Sequence, residues 1–172
     1  MKHSPALPIA YIFLRILIVL NWLGGAGILA MLVLSFVNEP FLLRALRFGL
    51  PGENPSLLIG LRAIATLGLV TIPLNYALLK RLVAMVMTVR AGDPFVAANA
   101  YHLNAIAWFL LALQLLAVTM GAIGRAVSTA KHPFPIDAGF SMSGWLAVLL
   151  TFVLARVFAE GALMREDLEG TV

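Results

Sequence analysis

Four long apolar runs, broken only by isolated polar positions, organise this chain. They extend over about Pro8–Val37, Leu57–Leu79, Leu103–Ile123 and Gly144–Phe158, the last fraying toward Glu160. A transmembrane helix needs roughly 20 mostly apolar residues. Each run therefore predicts a membrane span, and together they predict an all-α, integral membrane four-helix bundle in a single domain, residues 1–172. Lys2 ahead of the first run is compatible with a cleaved signal peptide. Arg15 within the run and its length of about 30 residues favour an uncleaved span instead.

The most informative interruption is "RAGDPFVAANAYHL", residues 90–103. The helical pattern of the second run continues past Leu79. Lys80, Arg81, Ala84 and Thr88 line one face and Leu82, Met85, Val86 and Val89 another. Gly92 suits a left-handed C-terminal cap, Asp93 an N-cap, and Pro94 a first helical position that needs no N–H. The spacing thus predicts a helical hairpin with almost no loop. A helix over Ser56–Ala91 would measure about 54 Å at 1.5 Å per residue, against a hydrocarbon core of about 30 Å. Two to three turns should project from the bilayer, making residues 80–102 a hairpin outside it.

The polar residues at depth read mainly as packing devices. Arg15 and Arg62 lie about two turns inside their runs, within snorkelling reach of the headgroups. Asn21 and Gln114 fall near mid-span and need partners, either each other or a facing backbone group. Gly24, Gly25 and Gly27 offer small surfaces for close helix contact, and Pro73 removes a backbone donor within the second span. "NEPF" at Asn38–Phe41 and "HPF" at His132–Phe134 are helix-start signals with an interfacial aromatic. "PFLLRALRF" then suits a short interfacial helix with Arg44 and Arg47 on one side.

Composition agrees: 62% hydrophobic, 12% charged, mean hydropathy +0.98. The net charge of +4 comes from Lys and Arg dispersed near span ends, which argues for orientation signals and against direct nucleic-acid binding. With the N-terminus inside, Lys2, Arg15, Lys80, Arg81, Arg90, Arg156 and Arg165 face the cytoplasm. Arg44, Arg47, Arg62, Arg125 and Lys131 then face outward, a bias of seven to five. Both termini are accordingly expected inside a bacterial cytoplasmic (inner) membrane.

Without cysteine, disulfides and thiolate metal sites are excluded. His3, His102 and His132 lie in separate junctions, and no span interior carries a histidine or carboxylate. Neither catalytic nor metal-ligating residues are expected, and no cofactor. Glu160 is i+4 from Arg156, the spacing of an ordinary helical pair. The segment from Gly161 onward is expected to leave the helix after Arg165 as an acidic cytoplasmic tail with Glu166, Asp167 and Glu169.

"GDPF" followed by "NAYHLNAIAWFLLALQLL", and the ending "LARVFAEGALMREDLEGTV", resemble a bacterial four-span family, domain of unknown function 2975. The matching residues are Gly92, Pro94 and Phe95, then Phe158 and Gly161, then Glu166, Asp167, Thr171 and Val172. The resemblance spans nearly the whole chain and is most specific in residues 90–116 and 150–172. It implies a gene neighbour encoding a small Cro/CI-type helix-turn-helix regulator, and a membrane protein that senses for or sequesters it. Gly92, Asp93, Pro94, Phe95, Glu166, Asp167, Glu169, Thr171 and Val172 would then form the partner surface, competing for a basic DNA-reading helix. The alternatives are a small transporter or channel, an electron-transfer subunit, or a structural subunit of a larger complex, with homo-oligomerisation also open.

Overall fold

A computed structural model describes residues 6–46, 55–128 and 140–169. They form five helices: α1 Ala6–Val37, α2 Glu39–Leu46, α3 Pro55–Arg90, α4 Ala97–Val127 and α5 Met142–Glu169. No strand occurs among the described residues. The protein is a multi-pass, all-α membrane protein, since four helices exceed the length and hydropathy needed to cross a bilayer: Leu7–Val37, Ser56–Arg90, Ala97–Val127 and Met142–Asp167. The helix of α3 has the expected 36 residues and runs through Pro73. Only 6% of the most apolar window of α1 is buried, against 33% for α3. The outward Ile9, Phe13, Leu23 and Phe36 of α1 are therefore a lipid-facing surface.

The α3–α4 junction differs from the expected one. Gly92, at φ +90°, donates its N–H to Val89 O at 3.1 Å, and Asp93 N–H donates to Thr88 O at 3.1 Å. These two bonds are a Schellman cap. Asp93 is thereby part of the end of α3 and is not the N-cap of α4. Pro94 is not the first residue of α4 either. Residues 93–96 are non-helical, and the first turn of α4 closes with Asn99 N–H to Val96 O at 2.9 Å. The N–H of Asp93 closes the end of α3 while its carboxylate, the group an N-cap would use, pairs with Arg165, and α4 begins only at Ala97.

Two compact units each have their own packing. One contains α1 up to Leu20, Leu74–Ala112 and Ser141 onward. Its buried apolar residues are Leu103, Ile106, Ala107, Val148 and Ala155, and Trp108 meets Phe152 edge-on at 5.4 Å. Arg81 lies over Tyr101 and Phe109, at 5.3 and 5.5 Å from the ring centroids. On α5, Arg156 and Glu160 form the expected i,i+4 pair at 2.6 Å.

The other unit contains Asn21–Pro73 and Leu113–Phe140. Leu57, Leu58, Leu61, Ile64, Ala65 and Ile72 of α3 are buried there. Arg62 does not simply snorkel. Its Nη2 donates to Ser35 O, its Nε to Ser35 Oγ at 3.3 Å, and its guanidinium lies 4.1 Å over Phe36. Asn38 Oδ1 accepts from Phe41 N–H at 3.2 Å and starts α2, whose Leu42 and Leu43 are buried while Arg44 is exposed. Arg47 and the "HPF" stretch lie outside the described residues. Of the three glycines in α1, Gly25 alone faces a neighbour: a Cβ there would lie 3.1 Å from Ile72 Cγ1.

Asn21 finds a facing backbone group, donating from Nδ2 to Ile72 O at 3.0 Å, and does not bond Gln114. Bonds of this kind within membranes contribute about 0.6 kcal/mol on average. Asn21→Leu should therefore lower unfolding free energy in detergent micelles by about 1 kcal/mol or less. A loss above about 2 kcal/mol would show that Asn21 supports more than this one contact.

Candidate functional site

The hairpin tip and the last turns of α5 meet, and the sequence explains how. The positive φ of Gly92 turns the chain sharply at the end of α3, a conformation open to glycine at little steric cost. The extended residues after it carry Phe95 to α5. There the Phe95 ring lies 5.3 Å from that of Phe158, tilted by 34°. Gly161 leaves the space the ring occupies, because a Cβ at position 161 would lie 3.1 Å from Phe95 Cδ1. One turn further along α5, Arg165 Nη1 forms an ion pair with Asp93 Oδ1. Both side chains are partly exposed, at 43% and 38%, so screening limits what the pair contributes.

A groove of about 420 Å³ opens beside these contacts. Its floor is small, with Ala97, Ala100, Ala159 and Ala162, and its rim carries Asp93, Arg165 and Glu166. A second cleft of about 410 Å³ shares Ala100 and Ala159 and reaches Asn104 and Arg156. Alanines on both helices leave a channel flanked by charge.

Asn99 makes the tip rigid, a role not assigned to it from sequence. It is fully buried, and its Nδ2 donates to Pro94 O at 2.8 Å and Thr88 Oγ1 at 2.7 Å. The Thr88 hydroxyl in turn donates to Met85 O at 2.7 Å. This answers the polar interruption at 99: the amide replaces backbone bonds that the non-helical residues 93–96 cannot make. The available signal was Thr88 and Asn99, two polar residues flanking a tight turn. His102 lies beyond the clamp, its Nδ1 3.5 Å from Arg81 Nη1.

Of the residues expected at a partner surface, Gly92, Asp93, Pro94 and Phe95 build the tip, and Glu166 borders its groove. The acidic end does not fray after Arg165 as expected: α5 stays helical through Asp167 and ends at Glu169. It is Arg165, absent from the expected set, that reaches Asp93, so this carboxylate is already paired. Thr171 and Val172 lie outside the described residues. Asn21 packs as described, while Gln114 Nε2 is buried without a hydrogen-bond partner. Among the described residues, no three His, Asp or Glu side chains cluster as metal ligands would.

A family model described as Protein of unknown function (DUF2975) matches residues 51–172. The match takes in α3, α4 and α5, hence both halves of the tip–α5 contact, and leaves α1 and α2 outside it. It is thus shorter than the near-complete resemblance read from the motifs. Neither the curated proteins nor the solved structures contain a match to this chain.

Proposed function

The chain belongs to the DUF2975 family, and on that premise we propose that it is a non-enzymatic protein of the bacterial inner membrane that holds a soluble regulator at its tip–α5 face. The regulator is a small helix-turn-helix protein of Cro/CI type, and the face lies on the cytoplasmic side with both termini. One observation carries this reading. The two motif regions of the family resemblance, 72 residues apart at Asp93 and Arg165, meet in a single partly exposed surface. Alanines along the groove leave room for apolar side chains of a visiting helix, and Glu166 offers charge to a basic one. The seven-to-five distribution of Lys and Arg supports the orientation.

Charge reversal tests this more cleanly than truncation, because removing residues 161–172 would also remove Arg165 from Asp93. The full chain should co-purify with the helix-turn-helix protein encoded beside it, and Glu166→Lys with Asp167→Lys should abolish capture. Target-gene repression should change in parallel. Unchanged capture and repression in the reversed variant would reject the acidic rim as the contact. The transporter reading has one supporting observation, the unpartnered Gln114 Nε2 within α4. It predicts solute flux in proteoliposomes that Gln114→Leu abolishes.

A further inference from the structure

Tyr11, Arg15 and Arg90 form a charged cluster that the tip–α5 face does not use. Arg15 lies within the apolar run of α1 and turns back one helical turn toward the N-terminus. Its Nε and Nη2 donate to Tyr11 Oη at 3.2 and 3.0 Å. From the end of α3, Arg90 approaches the same ring, so a lipid site here sets the end of α3 at headgroup level and not two to three turns beyond it. The guanidinium carbons of Arg15 and Arg90 lie 5.3 and 5.8 Å from the Tyr11 centroid. No carboxylate among the described residues pairs with either arginine; the other contact of Arg90 is Met87 Sδ at 3.9 Å. Two cations gathered on one ring repel each other unless an anion joins them, and a guanidinium at the edge of hydrocarbon needs a partner.

The second observation is apolar. A cleft of about 340 Å³ runs from Tyr11 and Arg15 along Ile12, Ile16, Val19 and Leu20 of α1. Nine rises along a helix cover about 14 Å, close to half of the roughly 30 Å hydrocarbon core. That is the depth of one leaflet's acyl chains. We propose that Tyr11, Arg15 and Arg90 seat the phosphate of an anionic glycerophospholipid, with one acyl chain lying in the cleft along α1. The planar guanidinium suits phosphate oxygens, and the Tyr11 hydroxyl holds Arg15 in place for them. A net-anionic headgroup is selected over a zwitterionic one because, among the described residues, no carboxylate pairs with either arginine to receive a choline.

The test is native mass spectrometry of the full chain extracted from vesicles of equimolar phosphatidylglycerol and phosphatidylcholine. Phosphatidylglycerol should be retained preferentially. Arg15→Gln with Arg90→Gln should lower the retention ratio about thirtyfold, the scale expected for two lost basic contacts at a membrane surface. Tyr11→Phe, which keeps the ring and removes only the hydroxyl, should give a smaller fall. Circular dichroism of each variant checks that the helices persist, and Arg44→Gln should leave the ratio unchanged. Equal retention of both lipids by the parent chain, or full selectivity in the double variant, would overturn the assignment. So would displacement of the retained lipid by millimolar inorganic phosphate, which would make this a free-phosphate site.

Discussion

Replacing Asn99 with leucine is expected to destabilise the protein by about 3 kcal/mol. The substitution removes Nδ2 from a fully buried position, where it bonds Pro94 O and Thr88 Oγ1. The Pro94 carbonyl then has no donor, and a buried unsatisfied acceptor costs far more than a hydrogen bond contributes on balance. Asn99→Asp should fail as well, since it keeps the oxygen and loses the donor. Thr88→Val alone should cost less, and the double variant should fall short of the sum by about 1 kcal/mol because the two side chains share a bond. Urea unfolding in detergent micelles, followed by circular dichroism, measures all four. A loss below about 1 kcal/mol for Asn99→Leu would mean that the glycine cap alone fixes the tip.

Gly161→Leu should cost about 1–3 kcal/mol and should separate the tip from α5. Even a Cβ at position 161 would lie 3.1 Å from Phe95 Cδ1, and the rest of a leucine side chain has to displace the ring from Phe158. Adding Phe95→Ala should restore part of the stability by making room for the leucine. The chain contains no cysteine, so cysteines placed at Ala97 and Leu163, which line one groove, report its width directly. A short bismaleimide should link them in the parent chain and lose that ability with Gly161→Leu. Cross-linking that survives the substitution would show that Phe95 is not what holds these elements together.

These two changes act on contacts of different origin. Bilayer hydrophobicity acts on each helix separately, so the four spans and the 36-residue length of α3 could be read from runs of apolar residues. The Gly92 cap and the Arg156–Glu160 pair are equally local, determined by one residue type or one helical spacing. The assignment of Asp93 as an N-cap failed because its carboxylate pairs with Arg165, 72 residues away, a contact that local spacing does not record.

What the sequence by itself determined is therefore one-dimensional: how many helices there are, how long they run, and where the chain turns. Only the tertiary structure decided that Asn99 closes on Pro94, that Phe95 enters the gap at Gly161, that Arg165 takes Asp93, and that Arg62 docks on Ser35. Each of these depends on how a helix is rotated about its own axis. A helix apolar nearly all round, like α1, has no polar face from which that rotation can be read. In such helices the rotation follows from side-chain fit and a few buried hydrogen bonds between residues far apart in sequence, and the hydrophobic pattern does not record them.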